Sequence, residues 1–169
     1  EARKGSHVTG LSTGFDELNY MLSGLQKGEM SIIAGRPSMG KTSFALNVAE
    51  HLGAEQNVPV AIFSLEMGRH QLVERFLCSR SGIDSQLVRK GMLSTDQMGE
   101  LTRVGGELFE KPIFIDDSPG LTPLMIRAKS RRLKSRHDIQ AIFIDYLQLM
   151  SLGTRVESRQ QEISTISRY

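Results

Sequence analysis

The feature that most constrains this chain is the eight-residue run GRPSMGKT at residues 35–42. It fits the pattern G-x-x-x-x-G-K-[ST], in which glycines let a loop curl around phosphate oxygens. Such a loop follows a buried strand and opens a helix. An apolar run at residues 30–34 predicts that strand, and helical spacing over residues 43–52 predicts that helix. The chain is therefore constrained to an α/β fold with a phosphate site at the end of a strand.

The residues of this loop have distinct expected roles. Backbone N–H groups and the positive end of the helix dipole would bind phosphate oxygens. We expect Lys41 to reach the β- and γ-phosphates, Thr42 to ligate Mg²⁺ and Ser43 to add a donor. The cofactors implied are ATP and Mg²⁺. The residues expected to hold the nucleotide are Gly35, Arg36, Pro37, Ser38, Met39, Gly40, Lys41, Thr42 and Ser43.

Three further apolar runs predict strands after the loop, at residues 60–65, 112–115 and 141–146. The four predicted strands alternate with helices along the chain. This alternation predicts a mainly parallel sheet with helices on both faces. Residues 1–10 are polar and are interpreted as a linker remnant, which leaves residues 11–169 as one domain.

The helices between the strands are predicted from apolar spacing and from capping residues. One is expected to begin at Ser12 or Thr13. The others are expected over residues 69–81, after a capping box of Ser94 and Gln97, and from Thr122 and Pro123 to about residue 136.

An aspartate at the end of a predicted strand is the candidate metal ligand. Asp145 ends the apolar run 142–145, and we expect its carboxylate to hold Mg²⁺, usually through water. Asp116 and Asp117 also follow a strand and are the alternative. Capping of the next loop explains those two residues better, so Asp145 is preferred.

Glu66 is the candidate catalytic carboxylate, because a charged residue at a strand end does not belong to the core unless it is paired. In that position it would lie beside the γ-phosphate and polarise the attacking water. The alternative interpretation is an acid at the N-terminus of the helix that contains Arg69.

Composition narrows the class of protein further. Cys78 is the single cysteine, so no disulfide can form within the chain, and a reducing compartment such as the cytoplasm is expected. No apolar stretch approaches the length of a membrane span, so no membrane is expected as a partner. The net charge of +2 gives no strong overall attraction to nucleic acid.

Six stretches carry a resemblance to a known family: TGFDEL at 13–18, RPSMGKTSFALN at 36–47, FSLEM at 63–67, IDDSPGL at 115–121, RAKSRRL at 127–133 and IDYLQLM at 144–150. The sequence resembles the C-terminal, RecA-like motor domain of the DnaB family of replicative helicases from about residue 8 to residue 168. KaiC-like and RadA-like ATPases share the first stretch but not the motifs SLEM and DYLQLM.

The resemblance implies an ATP-dependent helicase that translocates on single-stranded DNA and unwinds duplex DNA at the replication fork. It also implies a homo-hexameric ring with nucleotide sites between subunits, and a primase and a helicase loader as partners. Lys41 and Glu66 would be catalytic. The residues implied near the DNA-facing loop are Arg155, Arg159 and Gln160.

Two alternatives to the helicase remain open from the residues themselves, namely a RecA-, RadA- or KaiC-like ATPase and a nucleotide-binding module without turnover. The family continues beyond the position of Tyr169 with a γ-phosphate-sensing glutamine, an arginine finger and a DNA-binding loop. We therefore expect residues 1–169, taken alone, to be the N-terminal portion of the domain and to hydrolyse ATP slowly.

Overall fold

A parallel sheet of three strands lies at the centre of the part of the chain that this computed structural model describes, residues 8–36 and 38–145. The strands are β1 (Val60–Ser64), β2 (Ile113–Asp116) and β3 (Ala141–Asp145). Their order across the sheet is β2-β1-β3, so β1 is paired on both sides. Phe63 pairs with Asp116 and Ser64 pairs with Asp145. The three strands therefore end at the same edge of the sheet, as the alternating pattern predicts.

Helices cover the sheet. In the described residues they are α1 (Asp16–Leu22), α2 (Lys41–Glu50), α3 (Arg69–Ser81), α4 (Ser85–Lys90), α5 (Thr95–Phe109) and α6 (Pro123–His137). The predicted capping box is confirmed, because the side chains of Ser94 and Gln97 each accept from the other's backbone N–H. None of these helices is long and apolar enough to cross a membrane.

The core is built on both faces of β1, and all five of its residues are buried. Ala61 and Phe63, which share one face of the strand, pack in a cluster with Ile126 of α6. Ile62, which points to the opposite face, packs with residues of α2 and α3 that include Leu46 and Phe76. Because side chains alternate along a strand, β1 anchors helices on both faces of the sheet. The predicted α/β arrangement is thus confirmed.

The strand predicted at residues 30–34 is wrong for this structure. These residues adopt no regular secondary structure, and Met30, Ile32 and Ile33 are exposed. An apolar run indicates burial, but a strand forms only where a neighbouring strand supplies hydrogen bonds. Within the described residues no strand pairs with this segment, and the outer edge of β3 is open.

Two helix starts also differ from the prediction. The first helix begins at Asp16 rather than at Ser12 or Thr13, because Gly14 adopts a φ of +84° and the Thr13 hydroxyl donates to Asn19 Oδ1. The second begins at Lys41 instead of residue 43 and continues into a π-helical turn, His51–Glu55. The six-residue helix α4 was not predicted.

Gly53 lies in the π-helical turn and packs directly against β2. A Cβ added there would lie 2.3 Å from Cγ1 of Ile113 and 3.3 Å from Cγ2 of Val60. Gly99 of α5 differs, because a Cβ added at that position would meet nothing within 4 Å. One glycine is therefore fixed by packing, and the other only weakens its helix.

We expect Gly53→Ala to destabilise the protein by about 1–3 kcal/mol, since the added methyl group overpacks a tight contact. Gly99→Ala should instead stabilise it by about 0.5–1 kcal/mol, because alanine has the higher helix propensity. Urea unfolding of both variants, followed by circular dichroism, measures the two differences. Equal effects of the two substitutions would contradict this account of the contact at Gly53.

Candidate nucleotide-binding site

The predicted phosphate-binding loop, residues 35–42 and called the phosphate loop below, leads into α2 through two residues with left-handed backbone conformation. Ser38 has a φ of +64°, and Gly40, the N-cap residue of α2, has a φ of +82°. Glycine adopts this conformation without the strain that a side chain would cause. The Arg36 carbonyl accepts from the Met39 N–H at 3.3 Å, which closes the turn. The unpaired N–H groups of the first turn of α2 are left as donors for an anion.

Lys41 is hydrogen-bonded to its own loop. Its Nζ donates to the Gly35 carbonyl oxygen at 3.0 Å, across the span that the loop encloses. Thr42 is half-buried and Ser43 is exposed at the start of the helix. The ammonium group, the two hydroxyl groups and the free backbone N–H groups thus lie on consecutive residues at one helix terminus.

Arg75 of α3 contacts this helix terminus, and the sequence did not indicate it as a site residue. Its guanidinium Nη1 donates to Ser43 Oγ at 3.1 Å. Arginine is only a donor, so the Ser43 hydroxyl must accept here and its own hydrogen is left to donate elsewhere. Arg75 is half-buried beside the buried residue Phe76, and such a charge needs a partner, but its burial could not be read from the sequence.

Asp145 has a buried oxygen atom that accepts no hydrogen bond from the described residues. Its Oδ2 atom is shielded from solvent, and no residue in the described part of the chain donates a hydrogen bond to it. Its backbone is fixed, since β3 pairs with β1 and the Asp145 carbonyl accepts from the Leu65 N–H at 2.7 Å. A rigidly held carboxylate oxygen of this kind calls for a ligand or a water molecule.

Glu66 lies two residues beyond β1 in the turn that leads to α3. Its side chain is exposed and makes no hydrogen bond to the described residues. The turn is fixed on its strand side, because Ser64 Oγ accepts from the Met67 N–H at 3.2 Å. Glu66 therefore follows the same strand end that pairs with Asp145.

Asp116 is engaged in structural contacts rather than free for a ligand. It accepts from the Ser118 N–H and from Nζ of Lys129 in α6. Burial alone would raise the pKa of Asp116, but these hydrogen bonds outweigh it and hold the pKa below its usual value.

Asp117 reaches in the other direction and contacts α3. Its Oδ2 accepts from the Arg69 N–H at 2.8 Å, and its Oδ1 accepts from Arg69 Nε at 3.2 Å. The backbone hydrogen bond from Arg69 lowers the pKa of Asp117. The sequence favoured capping of the loop that follows as the role of Asp117. In the structure Asp117 instead caps the start of α3, which lies earlier in the chain.

The structure places the phosphate loop at the N-terminus of α2, Glu66 two residues after β1 and Asp145 at the end of β3. The strand predicted to precede the loop does not form among the described residues. Within residues 8–36 and 38–145, no three His, Cys, Asp or Glu side chains cluster to hold a metal ion. A magnesium site in this region would therefore depend on water and phosphate ligands as well. Four predicted site residues lie outside the described residues: Pro37, Arg155, Arg159 and Gln160.

Comparison with known proteins gives consistent matches over nearly the whole chain. The family model described as the DnaB-like helicase C terminal domain matches residues 10–169. The replicative DNA helicase DnaC of Bacillus subtilis (strain 168) is 48% identical over 167 residues. That match covers 98% of this chain and 37% of the relative, so the chain spans little more than a third of the relative's length.

Two solved structures share the fold. The ATPase domain of the protein G40P superposes with a TM-score of 0.90 at 32% identity, over 98% of this chain and 59% of that one. A DnaB-like replicative helicase studied for its interactions with primase gives a TM-score of 0.89 at 33% identity, over 95% and 39%. These matches confirm the RecA-like α/β fold that the resemblance implied. The chain therefore belongs to the family of DnaB-like helicase C-terminal domains.

Proposed function

We propose that this chain binds Mg-ATP and hydrolyses it as the motor domain of a replicative DNA helicase, which moves along single-stranded DNA and unwinds the duplex. The observation that supports this most directly is the phosphate loop at the start of α2, with the unpartnered oxygen of Asp145 at the end of β3. One element supplies donors for phosphate and the other a carboxylate oxygen for a hydrated cation.

The residues present fit a magnesium–nucleotide complex. A buried carboxylate oxygen without a donor is costly, and a metal-bound water would satisfy Asp145 Oδ2. The Thr42 hydroxyl, one residue after Lys41, would ligate the cation directly. When bound, Mg²⁺ neutralises charge on the phosphates. Lys41 would leave the Gly35 carbonyl to bind the β- and γ-phosphates.

Glu66 is proposed as the group that polarises the attacking water. Its carboxylate is exposed and not committed to any partner in the described residues, so it is available to accept a proton. Ser43, held as an acceptor by Arg75, would direct its own O–H towards phosphate oxygen. Arg75 thus joins the residues that we propose for nucleotide binding.

We also propose an oligomeric state, a DNA substrate, a location and protein partners for this chain, all on the basis of its membership of the family. We propose a homo-hexamer with nucleotide sites between subunits, single-stranded DNA as the substrate track, contacts to DNA from Arg155, Arg159 and Gln160, and a cytoplasmic location. A primase and a helicase loader are the proposed protein partners. The DnaB-like helicase of known structure was itself studied for its interactions with primase.

Lys41→Ala should reduce the ATPase rate of the full-length protein about 10²-fold or more, because charge on the transferring phosphate is no longer compensated. Titration with fluorescent ATP in the presence of Mg²⁺ should also show weaker binding. The control is Lys27→Ala, because Lys27 is an exposed lysine that precedes segment 30–34. This substitution should leave both the ATPase rate and the ATP affinity unchanged. Unchanged binding and turnover in Lys41→Ala would remove Lys41 from the site.

Glu66→Gln should lower the rate of hydrolysis about 10²-fold or more while nucleotide affinity stays within about twofold, because the amide cannot accept the proton of water. Single-turnover hydrolysis and equilibrium titration separate these quantities. Glu17→Gln, at an exposed acid of α1, is the control. A Glu66→Gln variant that hydrolyses at the wild-type rate would show that another group activates the water.

Asp145→Asn should raise the Mg²⁺ concentration needed for half-maximal activity far more than Asp116→Asn or Asp117→Asn. The reason is that a carboxylate oxygen of Asp145 accepts no hydrogen bond from the described residues, whereas the carboxylates of Asp116 and Asp117 already accept hydrogen bonds within the protein. Magnesium titration of ATPase activity in the three variants measures this order. A larger shift for Asp116 or Asp117 would mean that β2, not β3, carries the metal ligand.

A further inference from the structure

Resting on the proposed role of Glu66, we propose that Asp117 is a positioning residue, which caps α3 from the end of β2 and thereby fixes the turn that carries Glu66. Asp117 would not contact nucleotide or water itself. It would act through the backbone of Arg69, three residues after Glu66.

Glu66 needs such support because nothing in the described residues holds its side chain. A catalytic group must be held close to its reactive position, and a displacement of about 1 Å can reduce a rate about 10²-fold. The position of the Glu66 carboxylate is therefore set by the backbone of its turn. That turn is residues 65–68, which link the end of β1 to the start of α3.

The strand side of this turn is fixed by two hydrogen bonds. The Leu65 N–H donates to the Asp145 carbonyl at 2.7 Å, which extends the β1–β3 ladder to the residue before Glu66. The Met67 N–H donates to the buried hydroxyl of Ser64 at 3.2 Å. These contacts hold the chain before and after Glu66 but do not reach α3.

The end of the turn that leads into α3 is held by Asp117. The N-cap residue of α3 is Gly68, which has no side chain and so cannot cap its own helix. Asp117 supplies an acceptor from 48 positions further along the chain, at 2.8 Å from the N–H of Arg69, the first residue of α3. A carboxylate at a helix N-terminus also interacts favourably with the helix dipole. The turn is thus held at both ends, and Asp117 holds the end nearer the helix.

The backbone cap, rather than the ion pair, carries this role. The Arg69 side chain is 63% exposed, so its pairing with Asp117 is screened by solvent. Asp116 serves a different loop, since its partners are Ser118 and Lys129 of α6. The two consecutive aspartates therefore fix different elements, and only Asp117 is linked to the turn of Glu66.

The test compares Asp117→Ala and Asp117→Asn in the full-length protein. Alanine removes the acceptor and should lower kcat about tenfold or more, with the KM for ATP within about twofold. Asparagine keeps an oxygen that can accept from the Arg69 N–H, so kcat should stay within about threefold of wild type. Asp84→Ala is the matched control, because Asp84 caps α4 through the Gln86 N–H at the same distance of 2.8 Å. Its kcat should not change.

Two combined variants decide whether the effect acts through Glu66. In a Glu66→Gln background, Asp117→Ala should cause no further loss of rate, because the group that it positions is already gone. Gly68→Ser should restore kcat to Asp117→Ala, because Gly68 has an extended backbone and a serine side chain there would accept from the N–H of His70 or Gln71 and fix the start of α3 locally. Rescue of this kind is not expected from a general loss of stability.

The inference is overturned if Asp117→Ala has wild-type kcat, if its loss is the same with Glu66→Gln as without it, or if Asp84→Ala loses as much. Failure of Gly68→Ser to restore the rate of a folded Asp117→Ala protein also counts against it. If Glu66→Gln itself hydrolyses at the wild-type rate, the proposed role of Glu66 fails first. An impaired Glu66→Gln beside an unaffected Asp117→Ala would refute the positioning role alone.

Discussion

Parallel pairing of β1 with a strand on each side is the constraint on which the rest of this structure depends. Because β1 is buried on both faces, its residues have no polar alternative to the hydrogen bonds of β2 and β3. The register of those bonds brings Asp116 and Asp145 level with the end of β1. Asp116 and Asp145 owe their place to this register, although they are far apart in the sequence.

The sequence predicted those elements whose signals are local. The capping box at Ser94 and the bounds of α3 depend on neighbouring residues alone, and both are confirmed. The strand expected at residues 30–34 was wrong, because strand formation depends on a partner that the run itself does not specify. The short helix α4 was missed for a related reason, since six residues between two glycines carry little periodicity.

The same distinction separates what could be predicted of the site from what could not. The phosphate loop is a contiguous pattern with a fixed chemical purpose, so its residues could be identified directly. Arg75 and Asp117, by contrast, contact Ser43 and Arg69, which lie 32 and 48 positions away. No spacing rule connects such pairs. Only the packing of α3 beside α2 and β2 shows that one helix is tied to both the phosphate loop and the strand end.

The hydrogen bond between Lys41 and the Gly35 carbonyl has a consequence for nucleotide exchange. A free lysine side chain loses about 1.5–2 kcal/mol of rotamer entropy when it is ordered, but the contact with Gly35 already orders Lys41 against its own loop. A phosphate bound at this loop would replace this neutral acceptor with a charged one, and the ammonium group would return to the internal acceptor when the phosphate leaves. The contact therefore reduces the entropy that phosphate binding would cost, and it gives the ammonium group an internal acceptor whenever no phosphate is bound.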